Sequence, residues 1–176
     1  EFIKSDNLTL IENDNFEEAR LGAAGLEIPD IEEDFDNGYK QSKEYIEKYI
    51  DQDSVGMNIL EIGCSWGYFL KRIKALNIEC IGLEKNPVRA NYVNKKLDIK
   101  CYQGLSAIEN DNHKFDKIFM FYVLEYISDP LLYFNKLIKL LNPGGSIIVY
   151  TPNLRDILKD IWNLERLLFL YCIIKI

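Results

Sequence analysis

From residue 38 onward the apolar positions of this chain change period repeatedly. In "GYKQSKEYIEKYI" (38–50), Tyr39, Ser42, Tyr45, Ile46, Tyr49 and Ile50 recur at three- and four-residue steps, which predicts a helix with one buried face. "DQDSVG" (51–56) breaks it, and "MNILEI" (57–62) reads as a short apolar strand. Helical spacing returns in "GYFLKRIKAL" (67–76), with Phe69, Leu70, Ile73 and Leu76 on one side, and "ECIGLE" (79–84) is a second strand. Asn86 and Pro87 open the next helix as cap and first residue. "IKCY" (99–102) predicts a third strand, a short helix follows near 105–109, and "FDKIFMFY" (115–122) is the fourth strand. "SDPLLYFNKLIKLL" (128–141) starts a broad-faced helix at Asp129 and Pro130, and "NPGG" (142–145) stops it. "SIIVYT" (146–151) is a fifth strand, and 154–174 reads as a last helix, apolar on several sides.

Strand and helix thus alternate five times across short connections. That order predicts an α/β fold: a doubly wound, Rossmann-like, mostly parallel sheet with right-handed crossovers and helices on both faces. The strands are apolar nearly throughout, as strands buried on both faces should be. The chain divides into a weakly periodic segment over 1–37, one folded domain over 38–153, and a helical segment over 154–176.

Composition changes the picture in three places. At 176 residues and 48% apolar, the chain can bury a sizeable core and is not a disordered sequence. The formal charge of −7 is concentrated in residues 12–36, where ten acids face one base, Arg20. That acidic opening argues against a nucleic-acid partner, which draws on clustered Lys and Arg. The four cysteines, Cys64, Cys80, Cys101 and Cys172, show no CxxC pair and no zinc spacing, so they are expected buried and reduced in a cytoplasmic protein. The longest apolar run, "LLFLYCII" (167–174), is too short for an integral membrane span. The chain opens on Glu1 rather than Met, and is expected to be part of a longer protein.

The candidate chemistry lies in "LEIGCSWG" (60–67). In an open doubly wound sheet, ligands bind beyond the carboxyl ends of the strands, where the loop must admit a ligand close to the backbone. Gly63 and Gly67 supply that freedom, and Gly67 opens a helix whose free N–H groups face the ligand. Glu84 ends the second strand 23 positions after Glu61, where an acid can accept hydrogen bonds from both hydroxyls of a ribose. A dinucleotide loop would need G-x-G-x-x-G, but those positions hold Gly63, Ser65 and Tyr68. A carboxylate at Glu61 would also repel a pyrophosphate, whereas it favours a sulfonium and an α-amino group. The pattern prefers a cationic ligand.

"ILEIGCSWGYFL" resembles the first motif, E/D-x-G-x-G-x-G, of class I S-adenosylmethionine-dependent methyltransferases, and "IGLEKN" resembles their second. "FDKIFMFYVLEYISDP" and "LIKLLNPGGSIIVYTPN" are similar to the later motifs of the branch that methylates small molecules, lipids, quinone precursors and sugars. The resemblance covers about 38–153 and implies S-adenosyl-L-methionine as cofactor. It further implies that Glu61, Gly63, Cys64, Ser65 and Gly67 line the methionine end, that Glu84 binds the ribose, and that Lys85 and Asn86 lie beside the adenine. Gly104 and Leu105 match the loop after the third strand, with Leu105 where many members place an acid. Phe121 and Tyr122 would face the sulfonium, and Tyr39 would help cover the cofactor or pack in the core.

Two departures bear on mechanism. The middle glycine is Ser65, and the family's Glu-His after the fourth strand is Glu125-Tyr126, which removes the residue often proposed as base or metal ligand. No metal is expected. His113, the one histidine, precedes the fourth strand and should sit at the opposite edge of the sheet. Glu125 and Tyr126 are the remaining candidates beside the reacting atoms, with Asp129 reserved as a helix cap. The resembled fold closes with an antiparallel hairpin beside the fifth strand, which the helical reading of 154–174 leaves missing. A bare edge there, or the apolar C-terminal helix, would invite a homodimer. The reading is therefore methyl transfer to a small-molecule, lipid or sugar acceptor. A catalytically inactive cofactor- or partner-binding module of the same fold is the alternative, and an NAD-dependent oxidoreductase is disfavoured by the glycine count.

Overall fold

The fold follows from the predicted punctuation. The structure is a computed structural model and describes residues 40–151 and 171–175. The acidic segment 1–37 and Tyr39 lie outside the described residues. Helix α1 (Lys40–Tyr49) leads through a single 3-10 turn to β1 (Asn58–Ile62), followed by α2 (Tyr68–Ala75), β2 (Glu79–Leu83) and α3 (Pro87–Lys96). Then come β3 (Cys101–Tyr102), α4 (Leu105–Asn110), β4 (Phe115–Phe121), α5 (Pro130–Lys139), β5 (Leu141–Tyr150) and β6 (Tyr171–Lys175). The predicted caps form. Asn86 Oδ1 accepts from the Val88 and Arg89 N–H groups at 2.9 and 3.2 Å, and Asp129 Oδ1 accepts from Leu132 N–H at 2.9 Å.

The strands order as β3-β2-β1-β4-β5-β6, with β1 to β5 parallel. Side chains alternate across β1. Leu60 and Ile62 face a core shared with Ile108 of α4 and Phe134 and Leu137 of α5. Ile59 faces the other core, with Tyr45 of α1, Phe69, Leu70 and Ile73 of α2, and Ala90 and Val93 of α3. Glu61 shares the parity of Ile59, so this carboxylic acid projects into the layer beneath α1 to α3, pairing in register with Gly82 and Phe119. Strand order reverses between β1 and β4, so the crevice opens beyond their carboxyl ends.

Three expectations change. Strand β5 starts at Leu141, not 146: Leu141 pairs with Phe115 and Ser146 with Lys117, and Asn142–Gly145 bulges between them, with Gly144 at φ +80°. The helical reading of 154–174 fails at its end, because Tyr171–Lys175 is a strand antiparallel to β5, with Tyr150 opposite Tyr171. An apolar run carries no period that separates a buried strand from a buried helix, and the β-branched Ile173 and Ile174 were the available signal. The antiparallel partner of β5 is therefore present, and the uncovered edge that motivated a homodimer is closed. The rest of the predicted helix lies outside the described residues.

Candidate active site

Glycine and left-handed backbone build the loop after β1. Gly63 has φ +70° and Gly67, the residue capping α2, has φ +79°. A Cβ on Gly63 would stand 2.4 Å from Val123 Cγ2, so the loop after β4 packs directly on its backbone. A Cβ on Gly67 would meet Leu97 Cδ1 at 2.7 Å, which brings the start of α2 against the end of α3. Between them Ser65 holds φ +50° with a side chain, a conformation that costs roughly 1–2 kcal/mol for an L-residue. Ser65→Gly should therefore raise thermal stability by about 0.5–1 kcal/mol, net of glycine's greater unfolded freedom, or about 1–4 °C in Tm by calorimetry.

Glu84 is buried, and its carboxylate ties the loops together. Oε2 accepts from Ser65 N–H at 2.9 Å and Oε1 from Asn86 N–H at 2.8 Å. A carboxylate oxygen can accept more than one hydrogen bond, so these are the atoms to which a vicinal diol would donate. Glu61 is 5% exposed, and its Oε2 has no hydrogen-bond partner. Burial, then the neighbouring Cys101 and Glu84, push its carboxyl well above the ordinary range. Burial thus favours the uncharged form of Glu61, and a cation beside it would favour the carboxylate. The ligand preference read from its charge thus becomes a preference realised only when a cation arrives.

The other sequence-predicted residues separate into those at the crevice and those turned from it. Cys64 gives its backbone to the loop, with its N–H on Leu83 O at 3.1 Å. Its thiol points inward to Cys101, Sγ to Sγ 3.7 Å, over Gly82, where a Cβ would meet Cys64 Sγ at 2.7 Å. The contact with Cys101 and burial raise the Cys64 thiol well above its usual range, so it is no nucleophile. The Asn86 side chain is consumed as the α3 cap. Lys85 is half-buried beside it. Gly104 caps α4 with extended backbone, and Leu105, its first residue, packs on the core of Leu60 and Ile62 rather than offering a polar group.

Phe121 closes β4, one residue past Met120, the register partner of Ile62 at the end of β1. Tyr122 follows at φ +55°, 36% exposed, its N–H held by Tyr150 O at 2.7 Å. A bulky residue in that backbone region is a strained position of the kind found at functional sites. Glu125 and Tyr126 sit in a 3-10 turn, Leu124–Tyr126. Glu125 Oε2 accepts from the buried Thr151 Oγ1 at 3.0 Å, and the Tyr126 ring is 44% exposed. His113 lies at the amino end of the sheet, among Asn58, Glu79 and Asn142 around a cavity of about 340 Å³, far from this loop.

Sequence reasoning missed four contributors. Val123 packs on Gly63, Thr151 restrains Glu125, and Trp66 carries Arg89 over its ring at 5.8 Å. Tyr45, read only as a core position, stacks on Phe121. Each contact joins residues distant in the chain; Trp66, Val123 and Thr151 lie inside quoted motifs, but nothing local named their partners. Among the described residues, no group of three His, Cys, Asp or Glu could hold a metal, and no helix is long and apolar enough to cross a membrane.

An acid-glycine loop after β1, a second acid after β2 and a strand-order reversal between β1 and β4 define a nucleoside-cofactor domain of the S-adenosylmethionine type. The residues fit that cofactor: a buried carboxylic acid lacks a partner where a cationic amino acid would lie, and the loop backbone approaches without side chains. A family described as a methyltransferase domain matches residues 36–171, and the chain belongs to it. Its relatives include a Mycolicibacterium smegmatis protein named "Probable S-adenosylmethionine-dependent methyltransferase", 28% identical over 131 residues, covering 72% of this chain and 49% of that protein. A mitochondrial ubiquinone biosynthesis O-methyltransferase of Dictyostelium discoideum is 26% identical over 115 residues, covering 56% of this chain and 36% of its own length. The chain thus spans about half the length of these curated relatives, or less. Among solved structures, the plantazolicin methyltransferase BpumL shares the fold at a TM-score of 0.55 and 15% identity, covering 84% of this chain and 62% of that one.

Proposed function

We propose that this domain catalyses methyl transfer from S-adenosylmethionine to a small-molecule, lipid or sugar acceptor. The observation that carries the reading is Glu61 Oε2, buried without a partner at the foot of the glycine loop. Glu84 would take the ribose hydroxyls, the backbone of Gly63 to Gly67 the amino-acid end, and Lys85 and Asn86 the flank of the adenine. Gly104 and Leu105 would complete that adenine side through packing alone. When bound, the cofactor supplies a methyl already activated by its sulfonium. The protein's share is alignment and exclusion of water, and orientation of this kind is worth roughly 7–11 kcal/mol.

Phe121 and Tyr122 would wall the reacting centre, and Tyr126 would shape the acceptor's mouth. Glu125, bonded to Thr151, would hold that loop in place rather than act as base. Leu131 and Leu132 at the start of α5 are exposed, and no Lys or Arg occurs between Tyr122 and Asp129. That stretch suits an apolar or aromatic acceptor better than a phosphate backbone.

The test is calorimetric titration with S-adenosylhomocysteine across pH, followed by detection of that product when candidate acceptors are supplied with S-adenosylmethionine. Binding a cation lowers the raised pKa of Glu61 and expels its proton, so affinity should climb as pH rises between the bound and free values, by up to tenfold per unit. Glu61→Gln should bind more weakly with a flat profile. The stability sign is the opposite. The folded, empty protein holds this proton above the ordinary carboxylate range, so its Tm should fall as pH rises through the raised pKa, and Glu61→Gln should lessen that fall. Absence of binding would sink the proposal. Binding without turnover on any acceptor would turn it into the partner-module reading.

A further inference from the structure

Tyr45 lies on the buried face of α1 and is 5% exposed. Its ring is nearly parallel to that of Phe121, with centroids 4.2 Å apart and planes 7° apart, and it leans on Tyr150 at 4.5 Å. Phe69 meets Phe121 edge-on at 5.1 Å from α2, so the Phe121 ring is held by helices on two sides. The Tyr45 hydroxyl adds a long bond, donating to Tyr122 Oη at 3.5 Å. Phe121 itself is the last residue of β4, one past Met120, which pairs in register with Ile62 just before the glycine loop. An aromatic ring attracts a cation through its face, and the attraction depends on the ring's plane.

We infer that Tyr45 is a positioning residue: its stack fixes the plane of the Phe121 ring, and so sets how strongly the site favours a sulfonium over a neutral thioether. This rests on the assignment of Phe121 to the sulfonium end. S-adenosylmethionine and S-adenosylhomocysteine differ by one methyl and the charge it confers, so the ratio of their dissociation constants isolates the effect. A merely structural loss would weaken both ligands alike and leave the ratio unchanged.

Calorimetric titration of both ligands into wild type, Tyr45→Phe, Tyr45→Leu and Phe121→Leu tests it, with thermal melts to confirm folding. Phe121→Leu and Tyr45→Leu should each shift the ratio against S-adenosylmethionine by about three- to thirtyfold relative to wild type, the range of a cation–ring contact. Tyr45→Phe keeps the stack and should stay within about twofold. Should Tyr45→Leu not fold, Tyr45→Met refills the volume without a ring and carries the same expectation. An unchanged ratio in the ringless variant, with a shift in Phe121→Leu, overturns the role of Tyr45 while the assignment of Phe121 stands. An unchanged ratio in Phe121→Leu removes that assignment, and the inference with it.

Discussion

Glu84→Ala should lower affinity for S-adenosylhomocysteine by about a hundredfold to ten-thousandfold, read by calorimetry. Hydrogen bonds to a charged group are worth about 1.5–3 kcal/mol each, and the carboxylate would take two from the sugar. The same oxygens already hold the Ser65 and Asn86 N–H groups at 2.9 and 2.8 Å, so the substitution also releases the loop that the ligand approaches. Glu84→Gln separates these effects only in part, since one end of an amide is a donor and cannot accept from a backbone N–H. It should therefore also bind more weakly and melt lower. An affinity within threefold of wild type for Glu84→Ala would mean that no ribose rests on this acid.

The second large effect concerns stability. Gly63→Ala places a methyl 2.4 Å from Val123 Cγ2 at a backbone φ of +70°. The left-handed conformation costs roughly 1–2 kcal/mol and overpacking a buried contact about 1–3 more, so a total near 3–4 kcal/mol is expected. At about 2–4 °C per kcal/mol, Tm should fall by roughly 6–16 °C. Valine is stiff at χ1 and Val123 is buried, so its methyl has little room to withdraw. Adding Val123→Ala should recover the overpacking part but not the backbone part. The double variant should thus be more stable than the two single losses predict, by about 1–3 kcal/mol. Full additivity would show that the two loops do not touch as described.

These effects share a cause. The crevice is assembled from three loops at the carboxyl ends of β1, β2 and β4, and each restrains another: Glu84 holds the first, Val123 packs on it, and Thr151 holds the loop after β4 through Glu125. Loss of one contact should be felt as cofactor affinity, stability, or both, rather than as a local defect.

Much of this was legible along the chain, because it depends on near neighbours. Alternation of period, Asn86-Pro87 and Asp129-Pro130 as helix starts, and the acid-glycine loop with Glu84 after the next strand are local patterns with local causes: helical spacing, fixed proline φ, free glycine φ. They sufficed for the sheet, its helices and the ligand class. The return of the chain at Tyr171–Lys175 was not legible, since an apolar run fits a buried strand and a buried helix equally, and only pairing with β5 decides between them. The burial of Glu61 with Oε2 unpartnered, the inward turn of the Cys64 thiol and the stack of Tyr45 on Phe121 were likewise beyond the sequence. Burial, proximity and ring geometry are properties of residues brought together from distant parts of the chain, and tertiary packing alone sets them.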